Sequence, residues 1–334
     1  MSVLLSVSDL VKHYPVRGGW LGLGSTKVHA VDGVSFSLAR GETFALVGES
    51  GCGKSTIAKL ILRVVEPTSG AIFLDGRELT RLEGEDLRRE RRKVQMVFQD
   101  PFASLNPRLT AGEIVADPLV NYEDIGSVER RERVDDLLER VGLTRQHRDR
   151  YPHQFSGGQR QRLGIARALA LKPSLVVADE PVSALDVSVR TQILNLLLDL
   201  QEEFGLSYLF ISHDLAVVDY VGTTVAVMYL GGIVEIAPRR QFFAAAAHPY
   251  SRALLDALPA TTPAKRRRRA LLEGDVPSAS ALPSGCRFRA RCPLATQVCA
   301  ETAPALAEIA PGHHVACHHA PQRVAAQQIE AVSG

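Results

Sequence analysis

The sequence lacks any apolar run long enough to cross a membrane as a helix. A spanning helix needs about 20 consecutive apolar residues, whereas stretches such as 175–178 and 224–230 have only the length of a strand. The first residues, Met1 to Leu5, also lack the basic and apolar regions of a secretory signal peptide. If the chain serves a membrane, we therefore expect it to dock on that membrane and not to cross it.

An excess of charge of one sign is missing as well. The 39 Lys and Arg residues nearly balance the 37 Asp and Glu residues, which leaves a net charge of +2. This balance argues against the basic footprint of a nucleic-acid-binding chain, so we expect no nucleic acid partner. The 46% apolar content is that of an ordinary globular protein, and 334 residues suffice for one large domain and a smaller one.

The stretch from 48 to 56 follows the pattern G-x-x-x-x-G-K-[ST], which is typical of phosphate-binding loops. Its glycines allow backbone N–H groups to turn inward around phosphates, and the following helix adds the positive end of its dipole. Lys54 should reach the β- and γ-phosphates of ATP, and Ser55 should bind Mg²⁺. The predicted nucleotide-binding residues are Gly48, Ser50, Gly51, Gly53, Lys54, Ser55 and Thr56.

A second apolar strand, 175–178, ends in Asp179 and Glu180. Parallel strands deliver the residues at their carboxyl ends to the edge of the sheet where ligands bind. We therefore expect Asp179 to hold Mg²⁺ through water, and Glu180 to orient and deprotonate the water that attacks ATP. The weaker alternative is a pair of acids that only solvates the strand end.

Residues 155–159, Phe-Ser-Gly-Gly-Gln, form a turn at the start of a helix, about a hundred residues after the phosphate-binding loop. Together the three motifs resemble the ATP-binding cassette family, whose ATPase subunits drive membrane transporters. The resemblance implies that this turn binds the γ-phosphate of an ATP held by an opposing subunit, in a head-to-tail dimer with two nucleotides at its interface. Phe155 replaces the usual Leu, one apolar residue for another. The residues concerned are Ser156, Gly157, Gly158 and Gln159.

The same resemblance implies roles for further residues. Gln99 matches a glutamine that contacts Mg²⁺ and the attacking water and senses the transmembrane partner. His213 matches the histidine that holds the γ-phosphate and stabilises charge in the transition state. Tyr14 fits the aromatic that stacks on adenine, with an exposed turn tyrosine as the alternative. Asp186, in the turn after Glu180, is assigned to the nucleotide site. Because Glu180 and His213 are both present, we expect hydrolysis at this chain's own site.

Local patterns place individual elements. Alternating apolar residues predict short strands at 4–7 and 34–38, and Gly231-Gly232 predicts a hairpin turn. Periodic sequence predicts amphipathic helices at 127–141 and 157–171.

Strands alternate with helical patterns over residues 1–262, which predicts an α/β P-loop ATPase domain with a mostly parallel, helix-covered sheet. The resemblance adds a mixed sheet core, an antiparallel β subdomain and a helical signature subdomain at about 100–172. Near 262 the composition changes, and the run 265–269 is basic. We expect a solvated linker there, with contact to anionic lipid headgroups as the alternative. Residues 263–334 then form a small Cys-rich extension.

Cysteine is scarce, and four of the five cysteines lie within about the last fifty residues. Because ATP-using chains work in a reducing cytosol, where disulfides are rare, we interpret this quartet as a metal site. Four thiolates can hold an iron–sulfur cluster or a tetrahedral Zn²⁺, and unrelated buried thiols are the alternative. A histidine could replace a thiolate in a zinc site. The candidate ligands are Cys286, Cys292, Cys299 and Cys317, with His313, His314, His318 and His319 nearby.

The cysteine tail and residues 248–251, His-Pro-Tyr-Ser, resemble the ATPase subunits of dipeptide and oligopeptide importers, and 178–190 looks most like the second of their two ATPase subunits. In that subfamily the tail is associated with a [4Fe–4S] cluster. The resemblance implies import of di- or oligopeptides at the cytoplasmic face of the cell membrane. The implied partners are a paralogous ATPase subunit, two transmembrane permease subunits and an extracytoplasmic peptide-binding protein.

Other functions remain open at this point. Closely similar subunits serve nickel and glutathione importers. A soluble cassette ATPase acting on nucleic acid would carry two cassettes or a long coiled coil, and the stretch from 56 to 156 leaves no room for the latter. A metal or redox sensor built around the cysteine tail would leave the ATPase motifs without a purpose.

Overall fold

The computed structural model describes residues 2–17, 25–258, 277–278, 280 and 282–320. Twelve strands lie within these residues. They are β1 (Val3–Arg17), β2 (Ser25–Ala39), β3 (Thr43–Val47), β4 (Ser69–Leu74), β5 (Arg77–Glu78), β6 (Val94–Val97), β7 (Leu175–Asp179), β8 (Ser207–Ser212), β9 (Thr224–Tyr229), β10 (Gly232–Pro238), β11 (Ala307–Ala310) and β12 (His313–Val315). The predicted domain boundary near 262 and the basic run 265–269 lie outside the described residues.

Eleven α-helices belong to the same described part of the chain. They are α1 (Lys54–Ile61), α2 (Gly84–Arg91), α3 (Pro101–Ser104), α4 (Ala111–Tyr122), α5 (Ser127–Arg140), α6 (Gly157–Leu169), α7 (Val187–Phe204), α8 (Leu215–Val221), α9 (Arg239–Ala245), α10 (Pro249–Asp256) and α11 (Gln297–Glu301). The helices predicted at 127–141 and 157–171 correspond to α5 and α6, whose last residues fall slightly earlier.

The larger sheet carries the site. Its eight strands have the order β11-β12-β10-β9-β3-β8-β7-β6. The five strands from β9 to β6 run parallel, whereas β10, β12 and β11 pair antiparallel. Every residue of β3, β7 and β8 is buried, as expected for central parallel strands covered on both faces. The predicted mixed sheet is therefore confirmed, and the carboxyl ends of β3, β7 and β8 meet at one edge.

The smaller sheet is antiparallel, with the order β2-β1-β4-β5. The strands predicted at 4–7 and 34–38 are much longer than expected, since β1 and β2 each have 15 residues. Register shifts along their pairing interrupt the alternation of buried and exposed side chains, which explains why the sequence pattern marks only part of each strand. Leu5, Leu38 and Ile72 of this sheet pack with Ile57 of α1 in one apolar cluster.

Between β6 and β7 the chain forms a helical subdomain. Ile114 of α4, Leu138 of α5 and Leu163 of α6 are buried together in one apolar cluster. Helix α4 begins with a capping box, in which Thr110 and Glu113 exchange hydrogen bonds. The limits 100–172 stay a prediction, although α3 to α6 all lie inside them.

The turn between β9 and β10 consists of Leu230 and Gly231, not of Gly231-Gly232 as predicted. Both residues have positive φ, 44° and 79°, which is the backbone shape of the tight turns that join twisted antiparallel strands. Gly232 is already the first residue of β10.

The end of the described chain adds strands to the larger sheet. Strand β12 pairs with β10, and β11 pairs with β12. Glu235 of β10 is fully buried and accepts hydrogen bonds from the N–H groups of Ala247 and His248, at 2.7 and 2.9 Å. Its Oε1 lies 2.7 Å from Nε2 of His313 in β12. Strands β11 and β12 are thus built into the sheet of the ATPase.

Among the described residues, no helix combines the length and the apolar character that crossing a membrane would demand.

Candidate functional site

The predicted phosphate-binding loop connects β3 to α1, and its two outer glycines are tightly enclosed. Gly48 and Gly53 have φ of 153° and 112°. A Cβ on Gly48 would fall on the carbonyl oxygen of Met228, and one on Gly53 would fall on that of Ala30. Glycine is therefore required at both positions by close approach and by backbone shape. The loop therefore packs between the hairpin β9–β10 and strand β2.

Lys54 lies at the start of α1 and points back into the loop. Its Nζ donates hydrogen bonds to the carbonyl oxygens of Gly48, at 2.8 Å, and Glu49, at 2.9 Å. The side chain is buried, yet it lines the cavity in front of the loop. An ammonium group so placed can exchange weak carbonyl acceptors for the oxygens of an entering phosphate.

Asp179, at the end of β7, meets Ser55 beside the loop. The Ser55 hydroxyl donates to Oδ1 of Asp179 at 3.2 Å. Burial raises the pKa of Asp179, and the neighbouring Glu180 raises it further, while the hydrogen bond from Ser55 opposes the shift. A hydroxyl and a carboxylate beside a phosphate-binding loop are the hard oxygen ligands that Mg²⁺ takes. These residues fit the predicted metal.

Glu180 lies at the centre of the site. Its Oε2 accepts a hydrogen bond from Nε2 of Gln99 at 2.9 Å, and its Oε1 lies 3.0 Å from Nδ1 of His213. Glu180 has a φ of 48°, which is uncommon for a residue with a side chain, and its N–H donates to the carbonyl oxygen of Ile211 in β8 at 2.9 Å. The structure thus brings together the three predicted catalytic residues.

A cavity of about 570 Å³ opens in front of these groups. It is lined by Val28, Ala30, Ser50, Gly51, Gly53, Lys54, Ser55, Thr56, Gln99, Glu180 and His213. Val28 and Ala30 belong to β2 and were missed by sequence reasoning, because no motif marks them. Long-range contacts bring β2 to the loop: the carbonyl oxygen of Ala30 lies against Gly53, and the N–H of Asp32 donates to the carbonyl oxygen of Gly231 at 2.8 Å.

Tyr14 lies beside this cavity but is not among the residues that line it. In the pairing of β1 with β2 it stands opposite Val28, which does line the cavity. Lys12 Nζ lies 5.1 Å from the centre of the Tyr14 ring. The stacking of Tyr14 on adenine stays a prediction.

The signature turn lies at the start of α6, apart from the cavity. Ser156 accepts a hydrogen bond from the N–H of Gln159 at 3.3 Å, and Gln159 Oε1 accepts from the N–H of Ser156 at 3.0 Å. A Cβ on Gly158 would come within 2.5 Å of Val189 in α7, so the turn is packed tightly on the segment after Glu180. Asp186 immediately precedes α7. These residues do not face the nucleotide cavity of their own chain.

The four tail cysteines are all free thiols. Burial raises the pKa of Cys286, Cys292 and Cys317, and the charges of neighbouring tail thiolates raise each of these pKa values further. The thiols therefore lie near one another, although no three of their sulfurs lie within 4.8 Å of one another in the described chain. The sulfur of Cys299 lies 3.6 Å from Nε2 of His319.

The other tail histidines have different surroundings. His313 faces Glu235, and His318 Nε2 lies 2.8 Å from the carbonyl oxygen of Thr302. A separate group of three candidate ligands consists of His13, His29 and Asp32, whose ligand atoms lie within 4.8 Å of one another. One carboxylate oxygen of Asp32 in that group is already bound by Arg287, at 2.6 Å.

Comparisons with known proteins agree with this geometry. The model of the ABC transporter family matches residues 31–183, and that of the oligopeptide/dipeptide transporter C-terminal region matches residues 234–299. A probable peptide ABC transporter ATP-binding protein of Sinorhizobium fredii is 55% identical over 315 residues, covering 94% of this chain and 89% of the relative. The dipeptide transport ATP-binding protein of Haemophilus influenzae is 50% identical over 316 residues, covering 95% and 96%.

Solved structures give the same result for the fold. A dimeric ATP-binding cassette in a post-hydrolysis state, bound to ADP and Pi, is 32% identical and superposes with a TM-score of 0.63. The similarity covers 71% of this chain and 99% of that one. The resemblance stated from the motifs is therefore confirmed, and the chain belongs to the ATP-binding proteins of the ABC transporter family, in the group that carries the oligopeptide/dipeptide transporter C-terminal region.

Proposed function

We propose that this chain is the ATP-hydrolysing subunit of an importer of di- or oligopeptides. The proposal rests on two features that occur together in this chain. Lys54 and Glu180 line one cavity, and the C-terminal region matches that of oligopeptide/dipeptide transporters. Relatives named for peptide, oligopeptide and dipeptide transport support the same substrate class. Nickel and glutathione importers are the alternatives that the experiment below separates.

Phosphate binding is the first step of the proposed mechanism. Lys54 transfers its hydrogen bonds from the carbonyls of Gly48 and Glu49 to the β- and γ-phosphate oxygens, while the loop N–H groups enclose them. Mg²⁺, when bound at Ser55, Gln99 and Asp179, would neutralise charge on the phosphate oxygens.

Glu180 is the proposed general base. Gln99 and His213 each hold one of its carboxylate oxygens, so its orientation is fixed from both sides. A water bonded to this carboxylate gives up a proton to it as the water oxygen attacks the γ-phosphorus. The bond between the γ-phosphorus and the β,γ-bridging oxygen breaks in the same step, and ADP leaves with the electron pair. His213 can then use its second ring nitrogen to stabilise charge on the γ-phosphate.

A second subunit completes the proposed site. The capped start of α6 presents backbone N–H groups and the Ser156 hydroxyl away from the chain's own cavity. Such a helix start suits a γ-phosphate held by an opposing copy, and similar cassettes have been solved as dimers. We propose a paralogous ATPase subunit as this partner, since importers of this kind use two.

A cleft of about 1140 Å³ beside Gln99 is the proposed docking place for the permease subunits. Its walls come from the large sheet and from α4, and Phe98 and Tyr122 line it. Phe98 is 43% exposed, so a segment docked in this cleft could cover it. A permease segment seated there would contact the residue next to Gln99, which links substrate arrival to the position of Glu180. The chain would then lie on the cytoplasmic face of the cell membrane, with the peptide-binding protein on the other side.

The cysteine tail is the proposed metal module, within a C-terminal region spanning 263–334 that follows an ATPase domain spanning 1–262. Four thiolates from one segment could hold a [4Fe–4S] cluster, which we propose, or a tetrahedral Zn²⁺, which is the alternative. Iron, sulfide and zinc analysis of protein purified without oxygen tests this: about four irons and four sulfides per chain support the cluster, and one zinc without iron contradicts it.

The transport proposal is tested with the transporter reassembled in lipid vesicles. ATP hydrolysis should rise when the binding protein is loaded with a dipeptide or oligopeptide, and should not rise with nickel or glutathione. Stimulation by nickel or glutathione alone would contradict the peptide assignment. No hydrolysis under any condition would contradict the ATPase role itself.

A further inference from the structure

The cysteine tail is attached to the nucleotide site by two arginines. Arg287 directly follows Cys286, and Arg291 directly precedes Cys292. Both side chains leave the tail and form ion pairs in the ATPase domain, although neither belongs to a known nucleotide-binding motif of this chain. The segment 286–292 therefore connects two candidate metal ligands to the loop that would hold ATP.

Arg291 binds the phosphate-binding loop itself. Its two terminal nitrogens pair with both carboxylate oxygens of Glu49, at 3.0 and 3.1 Å. The Arg291 side chain is 7% exposed and that of Glu49 27%, so water weakens this pair less than a surface pair. Glu49 is also fixed through its backbone, since its N–H donates to the hydroxyl oxygen of Tyr250 at 3.0 Å.

The position of Glu49 determines the position of Lys54. The carbonyl oxygen of Glu49 is one of the two that hold Lys54 Nζ in the loop. Glu49 does not line the nucleotide cavity. Its carboxylate pairs with Arg291 of the tail while its carbonyl oxygen accepts from Lys54, so rotation of this residue would change both contacts.

Arg287 supports the other wall of the loop. It donates to the carbonyl oxygen of Leu230 at 2.6 Å and to Asp32, at 2.6 Å on Oδ2 and 3.1 Å on the backbone carbonyl. Gly231, which follows Leu230 in the turn, donates its N–H to the carbonyl oxygen of Cys52 in the phosphate-binding loop at 2.9 Å. The tail thus holds the phosphate-binding loop directly at Glu49 and indirectly at Cys52.

We infer that Arg291, assisted by Arg287, is a positioning residue for ATP: it acts through Glu49 on the phosphate-binding loop, so that the arrangement of the cysteine segment influences the affinity for nucleotide. The inference rests on the proposed ATP site but not on the identity of any metal in the tail. Loss of the Arg291–Glu49 pair should change the binding of ATP and not the chemical step, because Arg291 touches neither Glu180 nor the residues that hold Glu180.

The test is a double-mutant cycle in the full-length chain, assembled with the partner ATPase subunit and the permease subunits. Arg291→Ala and Glu49→Gln should each raise the KM for ATP by about five- to twentyfold, with kcat changed by less than about threefold. The double variant should be no worse than the more damaging single variant, because either change already removes the charge pair; Gln at position 49 retains only one of the two acceptor oxygens. Arg291→Lys should recover part of the affinity, since an ammonium can replace one of the two hydrogen bonds.

Arg289→Ala is the matched control. Arg289 lies on the same short turn, but its hydrogen bonds go to Ser284 and to the carbonyl oxygen of Ala300, both within the tail. Its replacement should leave the KM for ATP within about twofold of the wild type. If Arg291→Ala does not fold, Glu49→Gln alone carries the test, because it preserves the shape of the side chain.

Two outcomes would overturn the inference. One is an unchanged KM in both single variants while the wild type hydrolyses ATP, and the other is strictly additive effects in the double variant. A wild-type chain that binds no ATP would instead overturn the proposed function, so the two failures are distinguishable.

Discussion

Replacing Glu180 with Gln removes the proposed base while keeping its shape. The two oxygens of Glu180 lie 2.9 Å from Gln99 Nε2 and 3.0 Å from His213 Nδ1, and an amide can keep one oxygen acceptor for these groups. The amide cannot take up a proton from water. General-base catalysis contributes about 10²–10⁴-fold, so kcat should fall by that factor, which at 10³-fold corresponds to about 4 kcal/mol of barrier.

Affinity for ATP should survive this change, because Lys54, Ser55 and the loop N–H groups are untouched. The assay combines phosphate release under saturating Mg·ATP with equilibrium binding of a fluorescent ATP analogue. Glu129→Gln makes the same chemical change on the exposed side of α5 and should leave both readouts unchanged. Undiminished turnover in Glu180→Gln would refute the assignment of Glu180 as the base.

Three further predictions concern the loop and the core. Gly53→Ala should weaken ATP binding at least about tenfold, because its Cβ would clash with Ala30 of β2 and its φ of 112° disfavours a side chain. An ATP titration that gives the wild-type affinity would contradict this. Glu235→Ala should lower the free energy of unfolding by about 3–5 kcal/mol, because two buried N–H groups and His313 would lose their acceptor. Urea denaturation measures this loss, and a value below about 1 kcal/mol would contradict the prediction. Burial lowers the pKa of His248 to about 4, and its Nδ1 accepts the N–H of Tyr250 at 3.1 Å. The unfolded chain therefore binds more protons between about pH 6.5 and 4, and stability should fall by about 3 kcal/mol as the pH drops through this window. His248→Asn keeps the acceptor and should remove that part of the pH dependence, whereas identical pH profiles would contradict the role of His248.

The parts of the site that the sequence predicts well are those encoded within a few neighbouring residues. The loop at 48–56 and the acids Asp179 and Glu180 have motifs whose spacing is set by one strand and one turn. The structure places them together because β3 and β7 both pair with β8 and end at the same edge of the sheet. Periodicity likewise predicts α5, whose buried residues Val134, Leu137 and Leu138 share one face. Helix α6 is also predicted, although it is buried on most sides.

The parts that the sequence does not predict depend on distant pairing. Arg291 and Glu49 are 242 positions apart, and nothing in either local sequence indicates that they meet. Strand β12 pairs with β10 beside the buried contact of Glu235 with His313, although His313 reads as a candidate zinc ligand in the sequence. The left-handed backbone of Glu180 is equally hidden, because a residue with a side chain rarely adopts it. Its N–H donates to Ile211 of a distant strand, and its carbonyl oxygen accepts from the N–H and hydroxyl of Ser183.

Uptake of a labelled dipeptide by the reassembled transporter tests the central claim most directly. The vesicles contain the permease subunits, both ATPase subunits and the peptide-binding protein, with Mg·ATP supplied on the side of this chain. The account predicts ATP-dependent accumulation of peptide with the wild-type chain and almost none with Glu180→Gln. Equal uptake with the two chains, or ATP hydrolysis without any peptide accumulation, would contradict it.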